Sequence, residues 1–190
     1  MHPGRKQEQG FTLVEVLAAV VILSIVSLVL TSYFTNALSY SKTNQNKTIM
    51  VNLARNALFY MEKQDFEKMK ALFDNDTTIS ASECRPELSC SYISYFGDGA
   101  DSSNAEALAV VLNPEVNGIQ YEVNVTFQKD LYDKMLSGTD TTLGDGTGAM
   151  KQEMAPFLRP VKVEVTGPRG PDARMYTTVV EGYITDEKIR

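Results

Sequence analysis

The chain has no tryptophan, one histidine and two cysteines in 190 residues. The lone histidine is His2, so no imidazole pair exists for base catalysis or metal ligation. Cys84 and Cys90 alone are poor material for a zinc site, which needs four ligands in its structural form. No Gly-rich phosphate loop, nucleophile elbow or paired catalytic signature occurs, which points to a non-catalytic protein and implies no cofactor. Lys and Arg total 18 against 24 Asp and Glu, a formal charge of -6, and no basic run stands out. Nucleic acid is therefore not a favoured partner, since phosphate backbones call for clustered cations.

Helix breakers are also missing where it matters. Between Gly10 and Gly97 there is no glycine, and Pro86 is the one proline. A helix can run unbroken from Phe11 through the sixties. Charge is missing too, with none between Glu15 and Lys42. Phe11 to Leu30 therefore offers about 20 residues, or ~30 Å of helix, which matches the hydrocarbon thickness of a bilayer. Arg5 and Lys6 before it put the N-terminus on the cytoplasmic side and the rest of the chain outside, by the positive-inside rule. A cleavable secretory signal fits less well, because the apolar run is long and "SLVLTSYFTNALSYSK" becomes polar without a small-x-small site. One residue disagrees with a plain anchor. Glu15 sits inside the run, where a charge near mid-bilayer costs roughly 2.5–3.5 kcal/mol.

The stretch "GFTLVEVL", opening the apolar run after the short basic leader "MHPGRKQEQG", resembles the processing motif of type IV pilin-like proteins, the class III signal family. The resemblance implies a leader over 1–10, a transmembrane and filament-assembly helix over 11–37, and an exported globular domain over 38–190. It makes Gly10 the residue before the cut, Phe11 the new N-methylated terminus, and Glu15 the acid that pairs with a neighbouring subunit's N-terminal amine. Such pairing makes a buried carboxylate tolerable and sets axial register, as one buried polar residue does in a coiled coil. The partners implied are the prepilin peptidase/methyltransferase, other pilin subunits, an inner-membrane assembly platform, and membrane lipid before assembly. The implied location is the cytoplasmic membrane, as a single-pass protein that passes into a surface filament. Val20 to Tyr33 holds no glycine or proline, unlike many major pilins, and "VEVLAAVVILSI" is similar to minor pilins and pseudopilins. The expected role is a minor pilus subunit serving assembly, adhesion, motility or DNA uptake. Two alternatives stand beside it: a pseudopilin of a type II secretion system, and an anchored exported binding domain that never polymerises.

Beyond the anchor, Ile49, Leu53, Ala57 and Tyr60, with Met50, Ala54, Leu58 and Met61 one position round, form a helical stripe suited to covering a sheet. Asn44, Asn46, Lys47, Asn52, Arg55 and Asn56 are expected largely on other faces. "QDFEKMKALFDND" reads as a last turn or a short second helix ending near Asp74. "ALAVVL" (107–112) reads as a strand buried on both faces or packed under the helix, and "IQYEVNVTF" alternates with Ile119, Tyr121, Val123, Val125 and Phe127 on one side. "VKVEV" repeats the pattern, "GPRGPD" makes a turn, and "MYTTVVEGYI" returns. "LYDKMLSGTDTTLGDGTGAMKQEM" (131–154) reads as a short helix and then a Gly/Thr loop. The fold expected is α+β, the pilin fold: a long N-terminal helix on an antiparallel sheet of about four strands. In an exported domain Cys84 and Cys90 form a disulfide. "GDGAD" (97–101) and "DTTLGDGTG" (140–148) have Asp and Gly suited to calcium, without the spacing of known calcium loops, and read as solvated turns.

Overall fold

The computed structural model describes residues 11–85, 90–96, 102–138, 152–169 and 175–189. Helix α1 spans Leu13–Glu62, as the absence of Gly and Pro foretells. The chain divides into two compact units, one up to Asn44 and one from Gln45 onward. Each is taken in turn.

The C-terminal unit opens with the second half of α1. Met50, Ala54, Ala57 and Met61 are fully buried, and Ile49, Leu53, Leu58 and Tyr60 pack around them. The stripe starts one turn earlier than its apolar residues suggest, because Asn46, expected on another face, is buried at 8% exposure. Helix α2, Phe66–Asn75, begins at Asp65, whose carboxylate accepts from the Lys68 N–H at 2.9 Å. That cap satisfies a donor that the first turn cannot. Phe66, Met69, Leu72 and Phe73 face inward at helical spacing.

The sheet is antiparallel, in the order β1-β4-β5-β6, with β1 Thr78–Ile79, β4 Glu122–Phe127, β5 Leu158–Arg169 and β6 Met175–Thr185. Its register sets Val123 opposite Val165, Val125 opposite Val163 and Phe127 opposite Val161. These six side chains and Tyr121 are buried, so alternation identifies the inner face correctly. Val161 in turn faces Gly182 of β6. A side chain at 182 would collide with Leu58 of α1, so glycine permits the close approach of helix and strand there.

Three expectations are corrected. The 107–112 run lies in helix α3, Ser102–Leu112, and is not a strand. Leu108, Ala109 and Leu112 are buried while Val110 is 56% exposed, a one-sided pattern that a strand buried on both faces cannot have. A short apolar run carries no period that separates the two. The fourth strand is instead β1, too short at two residues to alternate visibly. The third correction concerns "GPRGPD": Gly167, Pro168 and Arg169 continue β5 past a register irregularity between Thr166 and Arg169. A proline is tolerated at such a bulge because no ladder donor is required of it. Residues 170–172 of that stretch lie outside the described residues.

A small hairpin pairs β2, Glu115–Val116, with β3, Ile119–Gln120, through Asn117 (φ 56°) and Gly118 (φ 73°). Positive φ at both positions is the geometry that Asn-Gly favours in a tight two-residue loop. Helix α4, Lys129–Leu136, comes directly after β4, and the rest of the 131–154 stretch from 139 to 151 lies outside the described residues. Arg159, at the start of β5, is only 3% exposed. Its guanidinium lies 4.4 Å from the Tyr132 ring centroid, 5.7 Å from that of Phe66 and 6.0 Å from that of Phe127. One cation thereby joins α2, β4 and α4 by ring contacts that favour a delocalised charge.

Cys84 and Cys90 are joined as a disulfide, beside a polar knot. The Tyr92 hydroxyl donates to Glu83 Oε2 at 2.8 Å and accepts from the Ser80 N–H at 3.2 Å. Asn113, just past α3, donates its Nδ2 to the carbonyls of Cys84 (2.7 Å) and Ala81 (3.2 Å). Replacing both cysteines by alanine should lower stability by about 2 kcal/mol, the loop-entropy value for so short a closure. In thermal melts that is roughly 4–8 °C for a unit of this size. Burial, and then the neighbouring Glu83, push the Tyr92 hydroxyl up to about 12 against the hydrogen bond from Ser80. A tyrosine in the unfolded chain titrates near ~10, so the folded state holds this proton more tightly. Its contribution is full below about pH 10 and is lost as pH rises through about 12. Urea midpoints should therefore fall between pH 10 and 12, and fall less steeply in Tyr92→Phe. Some slope persists in that variant, because burial also raises Tyr60 and Tyr121.

Candidate functional site

The N-terminal unit is the first part of α1 with its entry residues. Among residues 11–30 every apolar side chain is exposed, from Phe11 at 89% to Val26 at 46%. Apolar side chains ring the whole helix, as expected of a segment whose solvent is lipid or other helices. It is long and apolar enough to cross a membrane. Two of its hydroxyls are satisfied within the helix: Ser24 Oγ donates to the Val20 carbonyl and Thr31 Oγ1 to that of Ser27, both at 2.8 Å. Such back-bonding removes the cost of an unpaired hydroxyl in hydrocarbon.

Glu15 is the exception, and its setting is specific. Thr12 stands just before the helix. The Thr12 N–H donates to Glu15 Oε2 at 2.9 Å and the Thr12 hydroxyl donates to the same oxygen at 3.0 Å. In the reverse direction, the Glu15 N–H reaches Thr12 Oγ1 at 3.3 Å. This is a capping box, in which a Thr at the cap and a Glu three residues on satisfy each other's orphan donors. The carboxylate also lies in the first turn, where the helix dipole favours negative charge.

Residues 5–31 match the family model described as the prokaryotic N-terminal methylation motif. That match, together with the long apolar N-terminal helix, fits a class III signal, pilin-like protein. No curated protein and no solved structure gives a match. The motif implies processing by a prepilin peptidase and assembly with other pilins, and it suggests a structural subunit rather than an enzyme.

Of the residues singled out in the sequence, Phe11 and Glu15 stand at the helix entry, while Gly10 lies outside the described residues. Cys84 and Cys90 are brought together in the other unit. The Asp/Gly stretches 97–101 and 140–148 lie outside the described residues, and the described residues contain no cluster of three or more His, Cys, Asp or Glu suited to a metal. Thr12 is the residue that the motif reading passes over. Its signal is "TLVE", a hydroxyl residue with glutamate three positions later, ahead of an apolar run.

Removing the cap has a measurable consequence. Thr12→Ala in the full-length chain in micelles should speed amide exchange in the first turn of α1 by about fivefold, as expected for a cap worth ~1 kcal/mol. Thr12→Ser should restore it. Equal protection in Thr12→Ala would show that the box contributes nothing.

Proposed function

We propose that the chain is a non-catalytic, minor subunit of a type IV pilus or related filament. In this reading it is cut between Gly10 and Phe11, methylated at Phe11, and assembled through its N-terminal helix. The observation that carries the proposal is the geometry at Glu15. Both Thr12 donors fall on Oε2, so Oε1 remains to accept from the ammonium that the cut creates on a neighbour's Phe11. The intrachain bonds soften the cost of the acid while the subunit waits in lipid, and the intersubunit ion pair removes it on docking. An unpaired charge there costs several kcal/mol, so the pairing selects one axial register.

The unbroken course of α1 through residues 20–33, without glycine or proline, supports a minor subunit. Two further features agree on topology. Arg5 and Lys6 favour a cytoplasmic N-terminus, and a disulfide in the C-terminal unit suits an oxidising, exported environment. Domain limits of 1–10, 11–37 and 38–190 correspond to the cut and the end of the apolar run.

Capping and charge are separable. Gln serves at the third position of a capping box as Glu does, so Glu15→Gln keeps the cap and loses the ion pair, while Glu15→Val loses both. Both variants should insert into the membrane. Each should enter sheared filaments at least about tenfold less than wild type, the effect of ~1.4 kcal/mol. Wild-type incorporation of Glu15→Gln would assign Glu15 to the cap alone. Mass spectrometry should find a mature chain beginning at N-methylated Phe11, and an intact leader in a host with active leader peptidase refutes the proposal.

A further inference from the structure

The outer face of the sheet carries a groove of about 700 Å³ that neither the motif nor the filament reading uses. Its volume is within the range of small-molecule sites, roughly 300–1,000 Å³. Sheet register builds its floor. Thr126 of β4 faces Lys162 of β5, which faces Glu181 of β6. Tyr183, two residues further along β6, lines the groove with its side chain 42% exposed. The start of α4 forms the wall through Gln128, Lys129, Asp130 and Lys134.

The chemistry of this lining is mixed in a way that narrows the ligand. Lys129 and Lys134 make no ion pair with any described residue, and Lys162 pairs along its own strand with Glu164 at 3.6 Å. These groups call for an anionic acceptor. Asp130 and Glu181 line the same groove and repel a bare anion, but they accept well from hydroxyls. Tyr183 adds an exposed ring whose face can take an apolar C–H surface.

We propose that this groove binds an acidic saccharide, a hexuronate-type sugar. Its carboxylate meets Lys129 and Lys134, its hydroxyls donate to Asp130 and Glu181, and its ring lies on Tyr183. Inorganic phosphate satisfies only the cations. An acidic peptide brings more carboxylates than the groove can balance and few hydroxyls for its acids. The site lies wholly within the C-terminal unit, so the proposal stands whether or not the chain polymerises.

The test is calorimetric titration of the full-length chain in detergent micelles with tri-galacturonate. The neutral trisaccharide maltotriose, inorganic phosphate and a short poly-glutamate peptide serve as competing probes. Tri-galacturonate should bind at least about tenfold more tightly than maltotriose, a difference of one decade in Kd. Lys134→Gln and Tyr183→Ala should each weaken binding about fivefold or more while leaving the melting temperature unchanged, and Tyr183→Phe should retain it. Absence of tri-galacturonate binding overturns the proposal. So does equal affinity for maltotriose, undiminished binding by both variants, or displacement by phosphate or poly-glutamate at matching concentration.

Discussion

A carboxylate placed where the chain is otherwise hydrocarbon is the constraint on which this molecule turns. Apolar side chains alone would hold the first part of α1 in a membrane, and the charge makes that anchor worse by several kcal/mol. The structure shows how the cost is moderated. Thr12 supplies two donors to one oxygen of Glu15, within the helix turn whose dipole already favours an anion. A group held this way is ordered before any partner arrives. An ordered acceptor loses less entropy on pairing than a mobile one, which is the general advantage of preorganisation. The capping box and the proposed intersubunit pairing are therefore complementary uses of one side chain.

One helix also serves two solvents. Up to Asn44 its apolar residues ring the axis and are exposed, which suits lipid or a bundle of like helices. From Asn46 to Met61 burial contracts to a single stripe, which suits a sheet. The change occurs without a glycine or proline, and the side-chain pattern assigns each stretch its environment. Small residues finish the fit in the second stretch. Ala54 and Ala57 are fully buried, and Gly182 leaves room for Leu58, so helix and strand come close.

Much of this is legible in the sequence, for identifiable reasons. The long helix rests on an absence of breakers, and the apolar stretch ahead of Lys42 on an absence of charge. The inner faces of β4 and β5 emerge from strict alternation of Tyr121 to Phe127 and Val161 to Val165. Legibility fails where the pattern is too short to carry a period. The run 107–112 has six apolar residues in a row, and only tertiary packing, with Val110 outward and Leu108 and Leu112 inward, makes it a helix. β1 has two residues and no period at all. Asn46 escapes because polarity is no sure sign of exposure, and one amide can end a buried stripe. Two short signals do carry information that apolar periodicity ignores: "NG" before β3 and "TLVE" at the helix entry.

The alternation that builds the core also decides which residues are left for other chemistry. On β5 and β6 the inward positions must be Val161, Val163, Val165 and Gly182 if α1 is to pack closely. The outward positions between them, Lys162, Glu181 and Tyr183, are released from that requirement. Register then aligns Lys162 with Glu181 across the strands, so a polar row arises on the outer face as a by-product of an apolar row on the inner one. α4 closes one side because β4 runs into it through Gln128. Ligand chemistry can thus change on the outer row without disturbing the core, while Glu15 and Thr12, in the other unit, are held to their identities by the helix entry they form. The proposed assembly and the proposed binding thus draw on different units of the chain.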